Sequence, residues 1–264
     1  MDNLLYAALL GIVEGLTEFL PVSSTGHLVI AGHVLGVTGD KAATFEVAIQ
    51  LGAILAVVWL YRGRFLGLLQ SNPSRAMSGP RGLWLLFLTT LPASLAGLAL
   101  HSSIKAMFTP ACVAWALGVG AVAILAVERW RPAARLTGVD AVTPMLALGV
   151  GCFQCLALWP GFSRAAATIM GGMILGLERR TAAEYSFLAA VPIMVAATGY
   201  DVLKSWHLLS AADLPFFAVG LALAFVSALA AVRWFIRLLG ACTLRPFAWY
   251  RLVIAPLVLI FWSE

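Results

Sequence analysis

Long, nearly uninterrupted apolar stretches run through this sequence from end to end. They lie at approximately 3–13, 19–39, 45–61, 83–100, 111–127, 141–163, 165–177, 184–200, 214–232 and 246–262. Apolar residues make up 62% of the 264 residues and charged residues only 11%, whereas soluble domains are about half apolar and about a quarter charged. This composition excludes a soluble domain and a disordered chain, and the unbroken runs do not alternate as barrel strands would. The sequence therefore predicts an all-α polytopic membrane protein.

The positions of the basic residues predict how the chain crosses the membrane. If 3–39 and 141–177 are each a re-entrant helix–break–helix hairpin, the other stretches form six transmembrane helices. Thirteen arginines then fall on one side, and only Lys41, Lys105 and Lys204 on the other. This asymmetry places the arginines in the cytoplasm and both termini outside it. The last stretch, 246–262, qualifies as a crossing if the Arg251 side chain reaches an interface.

The two hairpins look like copies of each other. An offset of 139 residues aligns Leu20–Pro21 with Trp159–Pro160, Ser24 with Ser163, and Gly32 with Gly171. Three crossings separate the copies, and an odd number inverts the second copy in the membrane. We predict a single membrane domain over 1–264, with one inverted repeat at approximately 1–135 and the other at approximately 136–264. Such repeats place a binding site near the midplane, where the broken helices meet.

The first hairpin carries two carboxylates that are costly to place in a membrane. Glu14 and Glu18 are four residues apart, so both lie on one helical face. Ionisable groups at this depth cost about 2.5–3.5 kcal/mol each on insertion scales and are functional candidates by default. A divalent cation, Mg²⁺ or Ca²⁺, fits between two such carboxylates when substrate phosphate completes its shell. The alternative is that both carboxylates cap or pair structurally.

The break in the first hairpin is rich in hydroxyl groups. Ser23, Ser24, Thr25 and Gly26 precede a new helix, and His27 lies in its first turn. Hydroxyls and free N–H groups at a helix N-terminus form an anion site, although a Ser or Thr there can also be a simple N-cap. Ser24 lies within reach of His27, which could activate its hydroxyl as a base. The alternative for His27 is a hydrogen-bonded core histidine.

The second hairpin adds a cation at the equivalent break. Arg164 follows Gly161, Phe162 and Ser163, and its planar guanidinium suits a phosphate group. The structural alternative is an ion pair with one of the two glutamates. Thr168, one turn on, faces the same way, so we predict that Arg164 and Thr168 both contact the substrate. Carboxylates, hydroxyls, a histidine and an arginine at one point predict phosphoryl chemistry.

Three segments carry a family resemblance. They are Glu14–His27 (EGLTEFLPVSSTGH), Phe45–Gly52 (FEVAIQLG) and Pro160–Arg164 (PGFSR). They resemble the signatures of the bacterial undecaprenyl-diphosphate phosphatases, the bacitracin-resistance family. The resemblance implies hydrolysis of undecaprenyl diphosphate, which recycles the lipid carrier for cell-wall synthesis, and bacitracin resistance.

The resemblance also implies a location and a site. The enzyme would be in the bacterial inner membrane, need a divalent metal, and open its site to the periplasmic or outer side. The implied functional residues are Glu14, Glu18, Ser24, His27 and Arg164, with Ser23, Thr25 and Ser163 holding the diphosphate. One departure is Ala165, where the family commonly has a serine, and we expect at most weaker binding from it.

Several alternatives stay open at this stage. Either Ser24 attacks with His27 as its base, or His27 or Glu18 activates water. A transporter or flippase of a lipid phosphate or small anion is the rival function, because inverted repeats are also transporter features. The net charge of +5 is attributed to the loops, so no nucleic-acid partner is expected. The expected partners are the membrane and a polyprenyl diphosphate, and a homodimer is left open.

Overall fold

The computed structural model describes residues 3–205 and 210–262, and this part of the chain is built from α-helices with no strand. The helices are α1 (Leu4–Thr17), α2 (Ser24–Leu35), α3 (Asp40–Leu60), α4 (Arg62–Gly67), α5 (Gly79–Ala99), α6 (His101–Ala106), α7 (Pro110–Trp130), α8 (Pro144–Gln154), α9 (Arg164–Ile174), α10 (Arg179–Ser205), α11 (Leu214–Leu239) and α12 (Arg245–Phe261). This architecture confirms the predicted all-α polytopic membrane protein.

Among the described residues, five helices are long and apolar enough to cross a membrane: α3, α5, α7, α10 and α11. The sixth predicted crossing corresponds to α12, which has 17 residues and so matches the lower limit of about 17 for a spanning helix. The expectation that Arg251 of α12 reaches an interface is wrong. Its side chain is fully buried, because backbone carbonyl groups inside the protein satisfy it.

The two hairpins are present as helix–break–helix units. In the first, α1 ends at Thr17 and α2 begins at Ser24, and the two helices pack together. In the second, α8 continues into a 3₁₀ turn at Cys155–Leu158 before α9 begins at Arg164. These helices have 11 to 14 residues, which at about 1.5 Å per residue is too short to cross a hydrocarbon core of about 30 Å.

The hairpins share backbone geometry at an offset of 140 residues, one more than the sequence alignment gave. The equivalent pairs are the left-handed N-caps Ser23 and Ser163, the left-handed glycines Gly36 and Gly176, and the carbonyl acceptors Gly32 and Gly172. The sequence alignment paired Ser163 with Ser24, whereas the structure pairs Ser163 with Ser23, so the offset of 139 was one residue too small. The division near residue 135 stays a prediction, and the shared geometry supports it.

Small residues let the first helix of each hairpin approach a long helix closely. A Cβ on Gly11 of α1 would overlap the Gly220 carbonyl oxygen of α11, and a Cβ on Gly151 of α8 would lie 2.6 Å from the Thr89 carbonyl oxygen of α5. Gly11 and Gly151 are also 140 residues apart. Such small-residue contacts are typical of helices that pack within membranes, and here they fix the two hairpins that carry the breaks.

Replacing Gly15 by Ala is expected to destabilise the contact between α1 and α11. The new Cβ would overlap the Ala224 carbonyl oxygen and the Ser227 hydroxyl, and overpacking of this kind costs about 1–3 kcal/mol. The melting temperature in detergent should fall by roughly 2–4 °C for each kcal/mol. Gly199→Ala is the control, because no atom lies within 4 Å of that Cβ position. Equal melting temperatures for the two variants would contradict this account of the packing.

Candidate functional site

A cavity of about 320 Å³ lies where the two breaks meet. Its polar lining comes from both hairpins and from α3, and consists of Glu18, Ser23, Ser24, Thr25, Gln50, Gln154, Ser163 and Arg164. The rest of the lining is mainly apolar and includes Phe108, Leu158 and Ile193. The predicted meeting point of the breaks is therefore a pocket that combines one carboxylate, one guanidinium and several hydroxyls.

Glu18 connects the two hairpins chemically. One carboxylate oxygen, Oε1, accepts a hydrogen bond from Arg164 Nη2 at 2.9 Å, and the other, Oε2, accepts one from the Ser24 hydroxyl at 2.5 Å. The ion pair that was the structural alternative for Arg164 is therefore present, and it lies in the wall of the cavity. Because the Ser24 hydroxyl points at a carboxylate, Glu18 is the group placed to take its proton.

His27 faces away from the cavity lining. Its Nδ1 lies 2.7 Å from the Ser23 carbonyl oxygen, which can only accept, so Nδ1 carries the proton. Its Nε2 then accepts from the Tyr250 hydroxyl at 2.7 Å, and the two rings stack with centroids 5.5 Å apart. Both ring nitrogens are engaged, so the predicted pairing of His27 with Ser24 is wrong. The helical turn directs the histidine toward α12 while Ser24 faces α1.

Replacing Tyr250 by Phe is expected to lower kcat about 2- to 10-fold. The change removes one hydrogen bond to His27, worth about 0.5–1.5 kcal/mol, and loosens the ring that supports the Ser23 carbonyl. Phosphate release would be measured beside Tyr200→Phe, a control at an exposed tyrosine of α10. An unchanged kcat for Tyr250→Phe would show that His27 does not depend on this bond.

Arg164 is held on several sides within the protein. Besides Glu18, it contacts the Ser186 carbonyl oxygen through Nη1 at 3.4 Å, and its guanidinium lies 5.2 Å from the Phe19 ring centroid. Its Nε is buried without a hydrogen-bond partner among the described residues. The guanidinium plane of Arg164 is therefore fixed at the cavity wall, and its Nε–H remains available to donate a hydrogen bond.

Thr168 does not line the cavity, contrary to its predicted contact with substrate. Only 1% of its surface is exposed, and its hydroxyl donates to the Arg164 carbonyl oxygen at 2.8 Å. The same hydroxyl lies 2.6 Å from the Ser186 hydroxyl. Although Thr168 lies one turn after Arg164, it faces α10 and supports the arginine from behind.

The two breaks end in serines with an unusual backbone. Ser23 (φ 72°) and Ser163 (φ 77°) adopt left-handed conformations that cost a non-glycine residue about 1–3 kcal/mol. Each caps the helix that follows, Ser23 through the N–H of Gly26 and Ser163 through the N–H of Ala166. N-capping therefore falls on Ser23 and Ser163, which leaves Ser24 and Thr25 in the cavity wall. Ala165 is buried, so the family position that differs here lies outside the lining.

Glu14 lies one turn before Glu18 and is fully buried. Neither of its carboxylate oxygens has a hydrogen-bond partner among residues 3–205 and 210–262, so the structural pairing considered for it is absent there. A buried carboxylate without a partner fits a bound cation. No group of three His, Cys, Asp or Glu side chains that could hold a metal occurs in the described chain. The protein would thus supply two carboxylates and leave the other positions to phosphate and water, as is usual for Mg²⁺.

Three site residues were missed by sequence reasoning. Gln50 and Gln154 line the cavity, and Gln154 stands at the position equivalent to Glu14 under the offset of 140. Arg251 lies behind both breaks and donates to the carbonyls of Pro21 and Phe162. In the sequence, Arg251 stands out as a charged residue inside an apolar stretch. The sequence alone does not show whether its side chain is buried in the protein or lies at the membrane interface.

Comparison with known proteins shows which family the chain is similar to. The family model of bacitracin resistance protein BacA matches residues 7–257. The chain is 68% identical over 264 residues to an undecaprenyl-diphosphatase of Maridesulfovibrio salexigens, with 100% of both chains covered. It is 66% identical over 262 residues to that of Nitratidesulfovibrio vulgaris (99% of each). It is 53% identical over 260 residues to that of Lawsonia intracellularis (98% of each).

Proposed function

This chain belongs to the bacitracin resistance protein BacA family, and on that premise we propose how it acts on its substrate. It is a membrane phosphatase that hydrolyses undecaprenyl diphosphate to undecaprenyl phosphate and inorganic phosphate. The reaction recycles the lipid carrier for cell-wall synthesis and gives resistance to bacitracin. The observation that carries the proposal is the continuous contact from Ser24 through Glu18 to Arg164 in one cavity.

The proposed reaction begins with the diphosphate between the two breaks. Arg164 donates to the terminal phosphate and stabilises its charge in the transition state. The hydroxyls of Ser23, Thr25 and Ser163 line the same cavity and bind the remaining oxygens. Only the headgroup needs to enter, since the prenyl chain can stay in the lipid.

Ser24 is the proposed nucleophile, with Glu18 as its base. The Ser24 hydroxyl oxygen bonds to the terminal phosphorus, and its proton passes to the Glu18 carboxylate 2.5 Å away. The bond between that phosphorus and the bridging oxygen breaks, the Glu18 carboxyl passes its proton to that oxygen, and undecaprenyl phosphate leaves, so that Glu18 is again a carboxylate. Water then hydrolyses the phosphoserine, with the same carboxylate as base. His27 acts in this scheme as a positioning residue, because it holds the Ser23 carbonyl.

A divalent cation, Mg²⁺ or Ca²⁺, completes the proposal. Glu14 and Glu18 would hold it, and the unpartnered buried carboxylate of Glu14 is the feature that supports this. When bound, the cation would neutralise charge on the diphosphate oxygens. The chain would lie in the bacterial cytoplasmic membrane with its site open to the outer side, as the distribution of loop arginines supports.

Phosphate release from a long-chain polyprenyl diphosphate tests the proposed function and its metal. We expect release by the purified protein with Mg²⁺ or Ca²⁺, and a loss of at least about 100-fold with chelator, because phosphate charge then goes unneutralised. Ser24→Ala should lose release to a similar degree. Substantial residual turnover by that variant would favour water as the nucleophile. Flux of lipid phosphate without any release, from folded protein, would instead support the transporter or flippase.

A further inference from the structure

A second, polar cleft lies between α4 and the segment that follows it. Two adjoining cavities of about 400 and 600 Å³ form it, and they share Gly63, Arg64 and Arg75. None of its residues lines the cavity between the breaks. Its remaining lining is largely polar and includes Gln70, Ser71, Asn72 and Ser74.

The cleft keeps a positive charge after its internal ion pair is counted. Arg64 donates to Asp140 at 2.6 Å, and Asp140 also accepts from the Met77 N–H at 3.0 Å. Partial burial raises the pKa of the Asp140 carboxyl, but these two bonds and the positive charges of Arg64 and Arg75 outweigh burial and hold that pKa below the usual range. Asp140 is therefore ionised and neutralises Arg64. Arg75, which lines the cleft, and Arg62, at the start of α4, are exposed, and the described residues offer neither of them a carboxylate at ion-pair distance.

An apolar groove of about 560 Å³ adjoins the cleft across α4. Leu66 lines both spaces, and Arg62 stands at the edge of the groove with its guanidinium 5.3 Å from the Trp59 ring centroid. The other lining residues are apolar: Leu55, Val58, Phe65, Leu69 and Phe225. Leu66 and Leu69 are 62% and 81% exposed, so the groove opens outward along the side of the helices.

We propose that the cleft and groove together bind one phospholipid with an anionic headgroup. The headgroup phosphate lies in the cleft at Arg75, an acyl chain lies in the groove beside Leu66, and Arg62 supplies positive charge at the edge of the groove. Basic pockets among transmembrane helices at the cytoplasmic surface bind anionic lipids in this way. A free anion is a poorer fit, because it would occupy the cleft and leave the apolar groove empty. A zwitterionic lipid is a poorer fit because its headgroup has no net charge to balance the positive charge of the cleft. The bilayer supplies the ligand directly, because the groove opens to it.

Native mass spectrometry of the purified full-length protein tests the charge requirement. Phosphatidylglycerol is expected to bind in a one-to-one complex more tightly than phosphatidylcholine. The double variant Arg62→Gln/Arg75→Gln should weaken that binding about 30-fold, because it removes two of the positive charges that attract the anionic headgroup. The matched control Arg81→Gln/Arg129→Gln removes two exposed arginines outside the cleft and should leave binding within threefold. Equal losses in the two double variants would overturn the site.

The groove is tested separately with apolar positions. Leu66→Asn should weaken phosphatidylglycerol binding, whereas Leu98→Asn, at a 77% exposed leucine of α5, should not. Inorganic phosphate that competes as well as the lipid would overturn the proposal in favour of a free-anion site. If polyprenyl monophosphate binds to the protein and phosphatidylglycerol does not, the proposal is overturned in favour of a site for the reaction product. Phosphate release is expected to remain within twofold in the Arg62→Gln/Arg75→Gln protein, so failure here leaves the proposed function untouched.

Discussion

Glu18→Gln is expected to lower the rate of phosphate release by at least about 1,000-fold. The amide keeps the size of the side chain, but it cannot accept the Ser24 proton, and general-base catalysis contributes about 10²–10⁴-fold. The change also removes the charge that fixes Arg164 at 2.9 Å, so the arginine no longer has one preferred position at the cavity wall. The measurement is phosphate release at saturating polyprenyl diphosphate with metal present.

Stability must be measured beside activity for this variant. Glu18→Gln leaves the Arg164 guanidinium without its buried partner, and a lost partner of a buried pair costs about 3–5 kcal/mol. Glu178→Gln is the control, since that carboxylate is exposed and lies outside the cavity. Glu18→Asp keeps the charge and should recover part of the stability while activity stays low, because Ser24 is then out of reach. Folded Glu18→Gln protein with more than a tenth of normal activity would contradict the role of Glu18 as base.

Much of the fold could be predicted because the membrane imposes lengths and charges on the sequence. The positions of α3, α5, α7, α10 and α11 follow from apolar runs long enough to span the hydrocarbon core. The hairpins follow from runs interrupted by proline, glycine and serine. The register of the repeat was harder, since it depends on backbone conformation. The left-handed φ angles of Ser23 and Ser163, and of Gly36 and Gly176, distinguish an offset of 140 from one of 139.

The composition of the site was predictable, but its hydrogen bonds were not. Buried charges and hydroxyls at the breaks identify Glu18, Ser24 and Arg164 without any structure, because each is costly in a membrane unless it is used. Which group receives the Ser24 proton depends on side-chain direction. A single turn of α2 directs Ser24 and His27 toward different helices, so proximity in sequence was a poor guide to their pairing.

Arg251 is the residue that sequence reasoning placed least well, and its loss should have the largest effect on folding. Its guanidinium is completely buried and donates to five backbone carbonyls, those of Pro21, Ala116, Leu117, Gly161 and Phe162. Pro21 belongs to the first break, and Gly161 and Phe162 belong to the second. One side chain thus ties both breaks to α7 and sets the distance between them.

Arg251→Leu is expected to prevent accumulation of folded protein. The carbonyls of Pro21, Gly161 and Phe162 lie in the breaks, outside the helices, and lose the donor that Arg251 supplies. Each buried carbonyl left without a donor costs about 1–3 kcal/mol, and three of them take much of the stability of a typical protein, about 5–15 kcal/mol. Arg251→Lys keeps the charge, but its single nitrogen has three donors and cannot reach both breaks and α7 together. The measurement is the yield of monodisperse protein after extraction in detergent.

A milder variant separates the geometry of the breaks from folding. Gly120 lies against the guanidinium, and a Cβ there would overlap Arg251 Nη2, so Gly120→Ala should displace the arginine without removing it. Overpacking costs about 1–3 kcal/mol, and a shift of about 1 Å in a catalytic arrangement can cost about 100-fold in rate. Gly118→Ala, in the same helix, adds a Cβ with no atom within 4 Å and should keep full activity. If Gly120→Ala protein matches Gly118→Ala in both melting temperature and kcat, Arg251 does not set the spacing of the breaks.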